Sequence, residues 1–353
     1  MSSAPDEPAS PQGAPVVEAP AGRGRATQAA PDSHIRDPHR RTSTGPRFRE
    51  KVVLFGYRFG EWFLGHLPLG PASLVGGWAA LVVYWVWPEK RRIVESNCAR
   101  VLALPPRDRR VARLARQVYR NQVRWVLELM RMHRLSRPQL VERVDPSIVE
   151  PFEAAWKASD GMIVAAPHFG NNEAGAAGLA GRGWPLNAVA DDTAYEDLFN
   201  HFTEERHRWG VEIVPWRNLR GVFKVLRRKE ILVLLADWGY RPDGIPVRFF
   251  GEWTTFPAGP ATLAAKTGAS IVALVVYRRP NNMFEVAMGR RILLDATDTA
   301  GQQRATQAYV NDLEAMIRKA PEQWVVFKPL WPVTADEQAA LAKRVADAGL
   351  TEP

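Results

Sequence analysis

The second half of the chain alternates short apolar runs with stretches in which apolar residues recur at helical spacing. This alternation predicts an α/β fold in which a central, mostly parallel sheet is flanked by helices. The small residues of 170–178 predict the start of a helix packed closely behind the first strand. The other predicted elements are strands at 162–166, 186–190, 211–214, 231–236, 270–277 and 284–287, and helices at 195–209, 219–228 and 261–266.

The segment 46–88 is far more apolar and predicts a membrane-associated helical region before the sheet. Residues 50–66 place apolar side chains on one face between basic residues, as in a helix that lies on a membrane surface. Residues 67–87 carry no formal charge and are long enough to cross a bilayer, although prolines and glycines interrupt them. A buried or partly inserted helical hairpin and a true membrane span both fit this pattern, and both keep the segment near lipid.

The remaining regions complete the predicted domain organisation. Residues 1–45 are rich in Pro, Ala, Gly, Ser and Arg and predict a disordered tail without a secretory signal or an ordinary transit peptide. Residues 89–335 form the predicted α/β domain, and 336–353 a C-terminal helix or tail. The single cysteine, Cys98, excludes an internal disulfide and fits a reducing compartment.

The positive charge is concentrated in one part of the chain. The whole sequence has 47 Lys and Arg against 38 Asp and Glu, a formal net charge of +9. Residues 107–134 predict a long basic helix in which arginines at 109, 113, 116, 120 and 124 follow one another at three- and four-residue steps, here called the basic stripe. No nucleic-acid motif accompanies it, and the apolar segment before it favours anionic lipid headgroups. A solvated face without a partner is the alternative.

The clearest candidate chemistry lies where the strand 162–166 ends. His168 follows that strand, and Glu173 lies five residues later. The two side chains can meet if His168 is in the turn and Glu173 is in the first helical turn. A carboxylate would then hold one imidazole nitrogen and leave the other free to act as a general base on a hydroxyl. The alternative is a histidine at a strand end that has only a structural hydrogen bond.

Other residues are candidates for substrate binding. Asp237 falls at the carboxyl end of a predicted strand, where ligands gather in such sheets, and it lacks the His or Cys companions of a metal site, so we predict no metal. Gly259 predicts a close backbone approach beside the site. Four basic residues, each with a solvated helix face as the alternative, are candidates to bind the phosphate of an acceptor or donor: Arg206, Arg217, Arg220 and Lys224.

Four sequence blocks give the chain a family resemblance over residues 50–335. In order they are HFGNNE, ADWGYRPDGIPVRFFG, FPAGPATLAAKTGASIVAL and PEQW. Through them the chain resembles the bacterial lysophospholipid-acyltransferase-like family that includes lipid A late acyltransferases and phosphatidylinositol mannoside acyltransferases. The resemblance implies that His168 and Glu173 are catalytic. It also implies an acyl-CoA or acyl carrier protein donor, no further cofactor, and a phospho- or glycolipid acceptor.

Two departures from the lipid A branch favour a phosphatidylinositol-mannoside-type acceptor. That branch usually has Trp where Asn172 stands, and a basic, aromatic stretch where VVFKPLW follows PEQW. The sequence therefore predicts a membrane-associated O-acyltransferase at the cytoplasmic face of the plasma (inner) membrane. An acyl thioesterase with the same dyad and an inactive lipid-binding scaffold are the alternatives. The scaffold requires that His168 and Glu173 be unable to meet.

Overall fold

The computed structural model describes residues 47–191 and 196–350. The predicted tail at 1–45 and the first residue of the predicted helix at 195–209 lie outside these ranges. Within them the chain forms eight strands: β1 (Met162–Ala166), β2 (Leu186–Ala190), β3 (Val211–Pro215), β4 (Ile231–Leu235), β5 (Ile245–Phe249), β6 (Glu252–Phe256), β7 (Ser270–Arg278) and β8 (Phe284–Ile292).

The helices of the described ranges surround these strands. The first five are α1 (Arg47–His66), α2 (Leu69–Val86), α3 (Pro88–Leu102), α4 (Arg109–Met132) and α5 (Arg137–Glu142). The others are α6 (Val149–Lys157), α7 (Asn172–Ala180), α8 (Glu196–Trp209), α9 (Leu219–Arg227), α10 (Gly259–Thr267), α11 (Thr299–Lys319) and α12 (Ala335–Asp347).

Six strands form one sheet in the order β3-β2-β4-β1-β7-β8. All neighbours are parallel except β8, which runs antiparallel to β7. Every residue of β1 and β7 is buried, because helices cover both faces of the sheet. Ile163 and Ala165 belong to the core beneath α9, α10 and α11, whereas Met162 and Val164 belong to the core beneath α6 and α7. The prediction of a mostly parallel sheet flanked by helices is confirmed.

A separate hairpin of β5 and β6 was not predicted. No strand was predicted between residues 236 and 270. Phe250 and Gly251 connect the two strands with φ angles of 50° and 82°, both in the left-handed region. Two consecutive residues of this kind form the tight turn whose twist matches that of paired antiparallel strands.

Helices α1 and α2 carry most of the large apolar side chains that the described residues expose. Phe55, Phe59 and Trp62 are exposed on α1, and Trp78 and Trp85 on α2. Helix α2 is long and apolar enough to cross a membrane, and only 17% of that stretch is buried in the protein. Residues 69–86 form one uninterrupted helix and not the hairpin that was one of the predicted alternatives for 67–87. Both α1 and α2 pack against α4, and their exposed apolar surface is compatible with membrane association.

Helix α4 confirms the predicted basic helix. It begins after Asp108, whose side chain accepts a hydrogen bond from the backbone N–H of Arg110 and caps the first turn. Its apolar residues pack against α2 and α3. Arg109, Arg113 and Arg120 of the basic stripe are exposed, whereas the other two arginines are half-buried.

Candidate active site

A cavity of about 300 Å³ lies at the carboxyl ends of β1 and β4. Both predicted catalytic residues, His168 and Glu173, line it. Its wall is largely apolar, with a few polar groups close together, which is the usual character of a small-molecule site. The remaining lining residues are Gln122, Trp125, Phe169, Gly170, Asn172, Leu235, Asp237, Trp238, Val325, Val326, Phe327 and Lys328.

The imidazole of His168 is held by Asp237. Ala166 of β1 pairs with Leu235 of β4 in parallel register, so residues two positions beyond each strand end lie side by side. The distance from His168 Nδ1 to Asp237 Oδ1 is 2.6 Å. The His168 side chain is 39% exposed. Within the described part of the chain, its Nε2 atom has no hydrogen-bond partner.

Asp237 is fixed by two further donors. The backbone N–H of His168 and the indole N–H of Trp324 donate to Asp237 Oδ2 at 2.8 and 2.9 Å. The carboxylate is only 1% exposed, and three hydrogen bonds stabilise its charge in this buried position. Trp324 is the last residue of the PEQW block. The block contributed to the family resemblance, but no role was predicted for Trp324 itself.

The two titrating groups shift each other's pKa in opposite directions. Burial alone would raise the pKa of Asp237, but attraction to His168 and the three donors outweigh burial and lower it. Burial alone would lower the pKa of His168, but attraction to Asp237 and the hydrogen bond between them raise it above 6.5. The carboxylate therefore stays ionised, and the histidine is a stronger base than free imidazole.

Glu173 does not hold the imidazole, contrary to the expected pairing. It accepts two hydrogen bonds from Arg206, from Nε at 3.0 Å and from Nη2 at 2.6 Å, and none from His168 among the residues that the structure describes. Asp237, two residues beyond the end of the neighbouring strand β4, is the carboxylate that occupies Nδ1 instead. Arg206 was expected to bind a substrate phosphate, and its guanidinium is instead bound by a carboxylate at the cavity wall.

Buried polar contacts fix the turn between His168 and α7. Gly170 has a φ of 57°, and a Cβ there would lie 1.7 Å from the carbonyl oxygen of Val276. Arg278 donates to the Gly170 carbonyl and forms a buried ion pair with Glu128, Nε to Oε1 at 2.6 Å. The side chain of Asn171 donates to the same Glu128 and caps α7. These contacts hold the turn that directly follows His168.

The other predicted binding residues lie away from the cavity wall. Arg217, Arg220 and Lys224 are exposed at the start of α9 and along it, and Arg217 stacks on Trp216. Gly259 begins α10, and a Cβ there would meet no atom within 4 Å. The predicted close backbone approach at Gly259 is therefore wrong, since the position faces open space.

Lys328 and Trp238 are cavity residues that the sequence analysis left without a role. Lys328 Nζ lies 3.6 Å from the centre of the Trp238 ring, and that ring is 6.2 Å from the ring of His168. Burial and the nearby Lys90 lower the pKa of Lys328. Their positions in the sequence were the only signal. Trp238 directly follows Asp237 in the second block, and Lys328 lies four residues beyond Trp324, in the stretch VVFKPLW.

Comparison with known proteins gives consistent matches. The model of the bacterial lipid A biosynthesis acyltransferase family matches residues 47–332. The chain is 30% identical over 288 residues to a phosphatidylinositol mannoside acyltransferase of Mycolicibacterium smegmatis, with 80% of this chain and 92% of the relative covered. It is 28% identical over 252 residues to a phosphatidylinositol mannoside acyltransferase of Mycobacterium tuberculosis, with 69% and 77% covered.

Proposed function

This chain belongs to the bacterial lipid A biosynthesis acyltransferase family and is an acyltransferase, and from that premise we propose its reaction. It transfers a fatty acyl chain from acyl-CoA or an acyl carrier protein to a hydroxyl group of a phosphatidylinositol-mannoside-type glycolipid. The observation that carries the proposal is the 2.6 Å contact between His168 and the buried Asp237 beside the cavity. The acceptor follows the names of the two relatives.

In the proposed mechanism His168 is the general base. Its Nε2 takes the proton of the acceptor hydroxyl while the oxygen attacks the carbonyl carbon of the acyl thioester. The carbon–sulfur bond then breaks, and the leaving sulfur receives that proton from the imidazolium. Asp237 remains ionised, keeps the proton of His168 on Nδ1 and stabilises the imidazolium.

The walls of the cavity supply suitable partners for the two substrates. Trp125, Phe169 and Phe327 give an apolar surface to which an acyl chain can bind. Asn172 Oδ1 is buried and has no hydrogen-bond partner among the described residues, so it can accept a hydrogen bond from a sugar hydroxyl. The Glu173–Arg206 ion pair acts as a positioning contact, because it joins the first turn of α7 to α8.

A transfer assay tests the proposed reaction. We expect the full-length protein in lipid nanodiscs, given a long-chain acyl-CoA and dimannosylated phosphatidylinositol, to release one thiol for each acylated glycolipid that forms. Mass spectrometry of the lipid and a thiol reagent measure the two products. Thiol release with free fatty acid as the only acyl product would identify a thioesterase. No thiol release from acyl-CoA, or from an acylated carrier protein in a second assay, would support the inactive scaffold. Either result overturns the proposal.

We further propose that the enzyme works at the cytoplasmic face of the plasma membrane. The exposed apolar side chains of α1 and α2 and the basic stripe of α4 are the features that support binding to an anionic membrane surface. Acyl-CoA and acyl carrier protein are both anionic, so the same positive charge also favours the approach of the donor.

Reversing the charge of the exposed stripe residues Arg109, Arg113 and Arg120 to Glu is expected to weaken binding to anionic vesicles about 100-fold or more. Each basic residue near such a surface contributes about 1 kcal/mol, so the loss is at least about 3 kcal/mol. Cosedimentation with vesicles containing phosphatidylinositol at two salt concentrations measures it.

A matched control changes the same net charge on α9. The exposed residues Arg220, Lys224 and Arg227, all changed to Glu, should leave vesicle affinity within a few-fold of that of the original protein. Equal losses in the two triple variants would show that total charge, and not the stripe, determines membrane binding.

A further inference from the structure

A buried polar cluster lies between α1 and α8, outside the cavity. It consists of Glu61 on α1 and His201 and Glu205 on α8, one turn apart on the same helix face. The side chains of Glu61, His201 and Glu205 are 7%, 10% and 2% exposed. None of them lines the cavity or takes part in the proposed acyl transfer. Two carboxylates and an imidazole buried together require a physical explanation.

The ligand atoms of the cluster are spaced for a metal ion. One ligand atom from each of the three residues lies within 4.8 Å of the other two. His201 Nε2 is 3.2 and 3.1 Å from the two carboxylate oxygens of Glu61. A tetrahedral zinc ion with bonds of about 2.0–2.2 Å separates its ligand atoms by roughly 3.4 Å. The histidine and Glu61 are already close to that separation, and no two of the three ligand atoms are more than 4.8 Å apart.

Among the residues that the structure describes, two buried oxygen atoms in this region lack hydrogen-bond partners. Glu205 Oε1 accepts a hydrogen bond from Arg208 at 2.8 Å, whereas Glu205 Oε2 is buried without one. The hydroxyl of Tyr57 on α1 is also buried without a hydrogen-bond partner. Leaving such an atom unsatisfied costs about 1–3 kcal/mol, so native proteins normally provide a partner. A cation would satisfy the Glu205 oxygen.

Two arginines lie near the cluster. Arg208 donates to Glu205 Oε1 at 2.8 Å, and Arg206 is bound to Glu173. A divalent ion would bind the second oxygen of Glu205 together with Glu61 and His201.

We propose that Glu61, His201 and Glu205 bind one Zn²⁺ ion. A set of one imidazole and two carboxylates fits zinc better than calcium or magnesium, which prefer oxygen ligands alone. The ring of Tyr57 lies 5.6 Å from that of His201. The ion joins the apolar surface helix α1 to α8, and α8 supplies Arg206, which binds Glu173 at the cavity wall, so the site stabilises the attachment of the membrane-associated region to the catalytic domain.

No sequence pattern predicted this site. Glu61 and His201 are 140 residues apart, and a histidine and a glutamate four positions apart occur on many helices. The prediction of no metal considered only the surroundings of Asp237. Packing of α1 against α8 is what brings the third ligand to the pair.

Metal binding by the full-length protein in detergent tests the proposal. After removal of metal with a chelator, we expect the protein to take up one equivalent of Zn²⁺ by calorimetry and elemental analysis, and its melting temperature to rise. Co²⁺ in its place should give the visible absorption of a tetrahedral site. Failure of the wild-type protein to bind stoichiometric Zn²⁺ would overturn the proposal, whatever the variants do.

Variants locate the ion within the protein. Glu205→Gln and His201→Gln should each weaken Zn²⁺ binding at least about 100-fold and abolish the Co²⁺ absorption, since each removes a ligand. The matched control is the double variant His207→Gln, Glu212→Gln. These two residues form an exposed His–Glu pair at 2.7 Å, and His207 lies on α8, the helix that carries His201 and Glu205. It should keep the full stoichiometry and affinity. Equal loss in the control, or unchanged affinity in Glu205→Gln, would show that the ion binds elsewhere.

Discussion

Replacing Asp237 with asparagine is expected to reduce acyl transfer about 10²–10⁴-fold and to move the acidic limb of the pH–rate profile to lower pH. Asparagine cannot stabilise the imidazolium, and it permits the tautomer of His168 with the proton on the wrong nitrogen. Burial lowers the pKa of His168, and the charge of Asp237 outweighs that effect to raise it above 6.5. Without that charge, burial and the nearby Lys328 remain, and both lower the pKa of His168, so it falls below 6.5. The pH dependence of kcat/KM measures the change.

Glu173→Gln is the matched control for this shift. It also removes one carboxylate charge from the cavity wall, but that carboxylate binds Arg206 and not the imidazole. We therefore expect the midpoint of its acidic limb to stay close to that of the original enzyme. If the midpoint shifted as far in Glu173→Gln as in Asp237→Asn, the result would support the pairing of His168 with Glu173 that the sequence alone suggested.

The strands of the central sheet were predictable because their residues are buried on both sides. Met162 to Ala166 forms an uninterrupted apolar run, and the observed strand β1 has the predicted bounds. The hairpin β5–β6 was missed because Pro246 and polar residues interrupt any such run. Helix α11 was also missed, although its buried Tyr309, Leu313 and Ile317 recur at four-residue steps that could have revealed it.

The pairing of His168 with Asp237 could not be obtained from the sequence alone. The sequence places both His168 and Asp237 just beyond apolar runs, but it does not state which strands are neighbours. The order β4-β1 in the sheet decides that, and the register of Ala166 with Leu235 brings the two side chains together. Glu173 was the expected partner because it is close to His168 along the chain. In a parallel sheet, residues that are far apart in the sequence meet at the carboxyl edge, and here His168 meets Asp237, 69 positions away.

The largest effect is expected for His168→Ala, which should reduce acyl transfer about 10²–10⁴-fold or more, since it removes the only proposed base. The side chain is partly exposed at the cavity, so its removal leaves the core intact. It does leave the buried Asp237 with two hydrogen bonds instead of three. We therefore expect a loss of stability of about 1.5–3 kcal/mol, the usual contribution of a hydrogen bond to a charged group. Transfer assays and melting curves measure the two effects.

His168→Asn separates lost chemistry from lost stability. The asparagine amide can donate to Asp237 from nearly the position of Nδ1, but it has no nitrogen that can accept a proton. Activity should therefore fall as far as in His168→Ala, while the melting temperature stays near that of the original protein. The acidic limb should disappear from the residual activity of both variants, because the group that titrates is gone. Turnover near the original rate in either folded variant would contradict general-base catalysis by His168 and require another group at the cavity to take the proton.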